Sequence, residues 1–161
     1  MAGNPYTKMF PVSWQELHRD AKALAWRLHG LRQWRALVAI TRGGLVPAAI
    51  VARELDLRLI DTVSVKSYDH QTIAGTEVLK RATVGDGDNS SLLIIDDLVD
   101  TGATAKVVRE LLPGAHLATV YAKPAGKPMV DTYVTETSQD TWIMFPWDTE
   151  PQFARPIAAA K

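Results

Sequence analysis

The sequence predicts an α/β fold with a mostly parallel central sheet flanked by helices, in a single domain over residues 1–161. Three observations predict it. Apolar runs at 36–40, 92–95 and 116–122 have strand length and lack the alternation of a half-exposed strand. The first two end in a turn rich in small residues, and a helical pattern follows each. No repeat, low-complexity block or linker divides the chain.

Residues 1–12 form a Pro-containing lead, expected to be loosely ordered at its start. Ser13 with Glu16 three residues on makes a capping box. Trp14, Leu17, Ala21, Leu24, Ala25 and Leu28 then share one face, so a helix runs to about His29 and Gly30. ALVAI at 36–40 is a strand stopped by Thr41, Arg42, Gly43 and Gly44, and a helix over 45–55 follows, its first turn tolerating Pro47. Residues 57–67 alternate as a strand, and 78–82 pair with it across 68–77, a polar loop long enough for a mobile flap. Residues 85–89 are a turn. In SLLIIDDLVDTGATAKVV, residues 91–108, four large apolar residues form a buried strand with Asp96 and Asp97 at its carboxyl end, and a helix runs from about 103 to 112. A strand over 116–122, a Lys123-Pro124 corner, a Gly/Pro loop, a short strand near 133–135 and a tail with Trp142 and Trp147 complete the chain.

Bulk properties narrow the function. With 161 residues the chain can bury a core without disulfides, and it has no cysteine, which removes thiol catalysis and thiolate metal sites and suits a reducing cytoplasm. Lys plus Arg and Asp plus Glu number 18 each, so no global field attracts nucleic acid or acidic lipid. No window approaches the ~18 apolar residues of a membrane span, so no integral membrane segment is expected. His18, His29, His70 and His116 lack metal-ligand spacing, and no Walker phosphate loop is present.

The chemistry concentrates after the buried strand. Asp96 and Asp97 lie where open α/β sheets bind ligands. Asp100, Thr101, Gly102, Ala103 and Thr104 follow as a turn whose N–H groups can converge on an anion at a helix start. Carboxylates repel the phosphate such a turn attracts, so the two must contact different parts of one ligand. A sugar phosphate satisfies both, its hydroxyls or an associated Mg²⁺ meeting the acids. The plain alternative is that the acids only cap a strand and a helix.

IIDDLVDTGATA closely resembles the phosphoribosyl diphosphate signature of the type I phosphoribosyltransferases. ITRGGLVPA at 40–48 is similar to that family's pyrophosphate loop, and VKSYDH at 65–70 to the start of its flap. YAKPAGKPMVDTYV at 121–134 and QDTWIMFPWD at 139–148 resemble its bacterial xanthine-guanine branch. The similarity spans about Trp14 to Asp148. It implies a type I phosphoribosyltransferase-like fold with a flap and a small C-terminal base-binding hood. The implied activity is purine salvage: transfer of the 5-phosphoribosyl group from phosphoribosyl diphosphate to N9 of guanine, xanthine or, less well, hypoxanthine. The products are GMP, XMP or IMP and pyrophosphate.

The resemblance also implies Mg²⁺, a homotetramer and a cytoplasmic location, with peripheral association at the inner membrane known within the family. Arg42, Gly43, Asp96, Asp97, Asp100, Thr101, Gly102, Ala103 and Thr104 would bind phosphoribosyl diphosphate, Asp97 also serving the metal. Lys123 would donate to the 6-oxo group, Trp142 would stack on the purine, and Ile143 would offer backbone groups to the 2-substituent. Asp100 would be catalytic, exchanging a proton with purine N7. The Arg42–Gly43 peptide would be cis. Two positions depart from the family pattern: Ala103 replaces a second glycine, and 72–76 lack the flap arginine, leaving Lys80 or Arg81 as substitutes. Competing readings are an RNA-binding regulator on the same fold, opposed by the balanced charge, and a transferase for adenine or a pyrimidine, opposed by Lys123 and the Trp142-Ile143 string.

Overall fold

The apolar runs pair side by side at the centre of the molecule. The computed structural model describes residues 5–67, 75–85, 87–150, 152–153 and 157–159. Its elements are β1 (Lys8–Pro11), α1 (Trp14–Leu28), β2 (Ala36–Thr41), α2 (Leu45–Glu54), β3 (Ile60–Ser67), β4 (Thr76–Lys80), β5 (Leu92–Val99), α3 (Ala103–Leu111), β6 (His116–Ala122), β7 (Thr132–Glu136) and β8 (Thr141–Met144). A short pair, β9 (Thr149–Glu150) and β10 (Gln152–Phe153), follows. The main sheet has six strands in the order β4-β3-β2-β5-β6-β7. Every neighbouring pair is parallel except β3 with β4.

Side-chain alternation explains the two layers. Leu37 and Ala39 of β2, Leu93 and Ile95 of β5, and Ala118 and Val120 of β6 join the core beneath α1 and α2. Ala36, Val38 and Ile40, Leu92 and Ile94, and Leu117 face the opposite core with Ala105 and Val108 of α3. Both faces of the central strands are therefore buried, which is why their sequence is a continuous apolar run. The capping box forms as expected: Ser13 Oγ accepts from the Glu16 N–H at 3.1 Å, and Glu16 Oε2 accepts from the Ser13 N–H at 2.7 Å.

Four expectations are corrected. From residue 8 the lead is a strand, β1, parallel to β8 with Lys8 opposite Thr141 and Pro11 opposite Met144. Trp142 accordingly lies in a strand and not in a tail. The strand expected from 57 begins at Ile60, because the Leu57 N–H bonds the Ala52 carbonyl at 2.9 Å and closes the end of α2. β4 covers 76–80 instead of 78–82; beyond Lys80, the N–H groups of Thr83 and Val84 turn toward the Asp61 carboxylate. The flap reading covers 68–77, of which 68–74 lie outside the described residues.

Candidate functional site

β5 and α3 are joined by Asp100, Thr101 and Gly102. Gly102 caps the helix at φ +89°, in the left-handed region that favours glycine. Ala103 is already the first residue of α3, and Asp56 is the non-glycine residue of positive φ among the described residues. The alanine thus needs no strained backbone, because the turn's left-handed step falls one position earlier. The first-turn N–H groups have no intrahelical acceptor. They border a cavity of about 110 Å³ lined by Asp96, Asp100, Thr101, Gly102, Ala103, Thr104, Ser67 and Thr119, among others. Ser67 Oγ lies 3.4 Å from Thr104 Oγ1 and ties the flap-bearing strand to this loop. Thr119 Oγ1 is buried with no hydrogen-bond partner among the described residues.

Asp96 and Asp97 lie inside β5, not at its end, because β6 pairs onward to Val99 opposite Ala122. Adjacent strand residues face opposite sides of the sheet. Asp96, opposite Thr119, borders the cavity, while Asp97 turns toward the loop after β2. A Cβ on Gly43 would stand 2.6 Å from Asp97 Cγ and 2.7 Å from its Oδ1, so glycine is needed there for close approach. Burial pushes both carboxyls up, and the charge of Asp97 pushes Asp96 further. Arg42 is exposed, and its charge acts on Asp148. The cis peptide is Thr41–Arg42, not Arg42–Gly43. The chain reverses between Ile40 and Gly44, whose N–H donates to the Ile40 carbonyl at 2.8 Å, and the cis bond falls early in that reversal.

At the edge of the same cleft Lys123 follows β6 and is 1% exposed. Its Nζ donates to Asp100 Oδ2 at 2.9 Å. Gln139 Nε2 donates to Asp100 Oδ1 at 2.7 Å, and the Tyr6 hydroxyl donates to Asp100 Oδ2 at 2.9 Å. Burial, and then Asp100 as acceptor and as charge, pushes the Tyr6 phenol up to about 12. The Tyr6 ring centroid lies 4.4 Å from Lys123 Nζ and 5.0 Å from the Trp142 ring, at 62° to it. Trp142 is 36% exposed, so it is not a core residue. Ile143, its neighbour in β8, puts its side chain into the core with Tyr121 and Phe145.

The structure thus brings Asp100, Lys123 and Trp142 together through Tyr6, and the turn before α3 adjoins them through Asp100. Sequence reasoning missed Tyr6, Gln139 and Thr119. Gln139 was within reach as the first residue of the quoted QDTW string; Tyr6 and Thr119 carry no local signal. Lys80, one of the two substitutes for a flap arginine, has its Nζ bonded to Asp61 Oδ1 at 2.9 Å and to the Thr62 carbonyl at 2.7 Å.

An anion-binding turn, two enclosed carboxylates and a buried cation beside an aromatic ring can together hold a phosphorylated sugar and a polar planar ring. Residues 13–154 match the phosphoribosyl transferase domain family. The chain is similar to the xanthine-guanine phosphoribosyltransferase of Desulfotalea psychrophila, at 60% identity over 153 residues that cover 94% of each chain. It is similar also to the enzyme of that name from Nitratidesulfovibrio vulgaris, at 57% identity over 94% of this chain and 92% of that one. Among solved structures, the purine phosphoribosyltransferase of Pyrococcus horikoshii matches with a TM-score of 0.73 and 28% identity, over 93% of this chain and 100% of that one. The xanthine-guanine-hypoxanthine phosphoribosyltransferase of Helicobacter pylori shares the fold, with a TM-score of 0.68 and 21% identity over 86% of this chain and 91% of that one.

Proposed function

The chain belongs to the phosphoribosyl transferase domain family, and from that premise we propose that it is a purine-salvage enzyme that transfers the 5-phosphoribosyl group of phosphoribosyl diphosphate to N9 of guanine or xanthine, and less well of hypoxanthine, releasing pyrophosphate. The observation that carries this reading is the junction at Asp100, where the phosphate turn ends and the Lys123 and Trp142 cluster begins. The names of the two bacterial relatives support the choice of base.

Each residue then has a task. The N–H groups from Thr101 to Thr104 hold the 5′-phosphate at the start of α3. Asp96, on the cavity side of β5, accepts from the ribose hydroxyls. Arg42 and the Gly43 N–H meet the departing pyrophosphate, where negative charge collects. Lys123 donates to the 6-oxo group, Trp142 stacks on the ring, and backbone groups of Ile143 face the 2-substituent. Asp100 exchanges a proton with N7 as the bond to the sugar forms.

The donor set fits Mg²⁺. Asp97, with Asp96 beside it, offers hard oxygen ligands at a place where Gly43 leaves room for the carboxylate. Bound there, Mg²⁺ would neutralise charge on the leaving pyrophosphate.

No helix among the described residues is long and apolar enough to cross a membrane. We propose a cytoplasmic homotetramer; exposed Trp14 and Trp26 on α1, and Ile60 and Leu79 on the flap-side strands, support an interface there. Peripheral association with the inner membrane rests on family resemblance alone. The deciding experiment incubates the protein with Mg²⁺, phosphoribosyl diphosphate and guanine, xanthine, hypoxanthine, adenine or uracil. Nucleotide from the first two is expected, and none from any 6-oxopurine sinks the proposal.

A further inference from the structure

We infer that Tyr6 is an internal competitor for the base: its phenol stands on the groups assigned to the purine, and a base reaches Lys123 only after that ring withdraws. The inference rests on the base site proposed above. One side chain engages three of its residues. The Tyr6 hydroxyl donates to Asp100 Oδ2, the oxygen that also accepts from Lys123. The ring face lies 4.4 Å from Lys123 Nζ, and Trp142 meets it edge-on at 5.0 Å. The ring covers the cation that would donate to the 6-oxo group, and the hydroxyl occupies the carboxylate oxygen that would meet N7. The decisive fact is access. Lys123 is 1% exposed, so no incoming oxo group can touch its ammonium while the ring covers it.

The arm that carries Tyr6 is attached chiefly at its edge. β1 is four residues long, exposed at every position, and among the described residues paired only with the equally short β8. Just after Tyr6, the Thr7 N–H donates to the Asp140 carbonyl at 2.8 Å, and Lys8 Nζ makes an exposed ion pair with Asp140 at 3.4 Å. A two-stranded ribbon of this size is marginal alone, so its end can lift without disturbing the six-stranded sheet. Tyr6 therefore lowers the fraction of molecules competent to take the base and raises the apparent KM for the base by the same factor. Phosphoribosyl diphosphate is held on this reading mainly by the N–H groups from Thr101 to Thr104, not by the Asp100 oxygen that Tyr6 engages, so its KM is not subject to this competition.

Steady-state kinetics of Tyr6→Ala and Tyr6→Phe, with calorimetric titration of GMP, test this directly. Tyr6→Ala is expected to lower the KM for guanine by about tenfold, given one charged hydrogen bond and two aromatic contacts. Tyr6→Phe, which keeps the ring and loses the hydroxyl, is expected to lower it by about threefold. GMP should bind more tightly to both, while the KM for phosphoribosyl diphosphate stays put as the internal reference. If wild-type protein is active and the guanine KM of Tyr6→Ala is unchanged or higher, this inference is overturned and the functional reading stands. Wild-type protein that makes no nucleotide from any purine overturns both.

Discussion

Gly43 and Gly44 are adjacent, and neither has a positive φ, yet the structure assigns them different work. Replacing each with alanine separates the two roles. A Cβ on Gly44 would meet the Ile40 carbonyl oxygen at 2.6 Å and would press closer still on the Ile95 carbonyl oxygen. Both obstacles are backbone of the central strands β2 and β5, which cannot yield without opening the sheet. Overpacking of a rigid site costs about 1–3 kcal/mol, and two backbone collisions place Gly44→Ala at about 3 kcal/mol. For a domain of this size that lowers Tm by about 6–12 °C. A Cβ on Gly43 meets only the Asp97 carboxyl, at 2.6 Å from Cγ, and a side chain can rotate away. Gly43→Ala should cost about 1 kcal/mol or less of stability but displace the carboxylate by about 1 Å, enough for a loss of about a hundredfold in kcat/KM for phosphoribosyl diphosphate. Thermal melts and Mg²⁺-dependent nucleotide formation on both variants give the answer. Equal loss of stability in the two variants, or a fully active Gly43→Ala, refutes the assignment of Asp97 to the reacting end of the ligand.

Three further outcomes follow from other parts of the structure. Asp100→Asn is expected to keep the KM for phosphoribosyl diphosphate while kcat falls by about a hundredfold; wild-type kcat would remove Asp100 from the proton transfer. The same variant takes the carboxylate from buried Lys123, so its melting point should drop as well, by about 4–8 °C for a loss of about 2 kcal/mol. His116 is buried against Trp34 and Thr132, and burial holds its imidazole below its ordinary value. The unfolded chain therefore takes up that proton first, and stability present above about pH 6.5 is lost as pH falls toward the depressed value. Melts at pH 7 and pH 5 should show a smaller acid loss in His116→Gln than in wild type, and parallel losses would refute it. Ser13→Ala removes one half of the capping box and should cost about 1 kcal/mol, or about 2–4 °C in Tm; no shift would mean the cap contributes nothing.

What was legible in the sequence is what is local. The two strand-turn-helix units are contiguous, so the apolar runs at 36–40 and 92–95 and their small-residue turns identify them without tertiary information. The turn between β5 and α3 is equally self-contained: Gly102 takes the left-handed step, and Ala103 is tolerated because it opens the helix. β1 was illegible because all four of its residues are exposed, leaving no alternation to read, and its partner lies at the other end of the chain. β4 was misplaced because a single carboxylate, Asp61, gathers Lys80, Thr83 and Val84 from across the hairpin. The base cluster is the extreme case. Asp100 meets Tyr6 across 94 residues, Gln139 across 39 and Lys123 across 23, so every contact that defines its surroundings depends on the finished sheet. A turn of consecutive backbone N–H groups, the proposed phosphate site, can be recognised from a short string. On the proposed reading the base meets side chains from separate segments, and their neighbour Tyr6 comes from a lead that carries no motif. On this chain, substitutions that retune affinity for the base without touching phosphate binding should therefore fall outside the signature, in the arm before α1 and at Trp142, which Tyr6 meets.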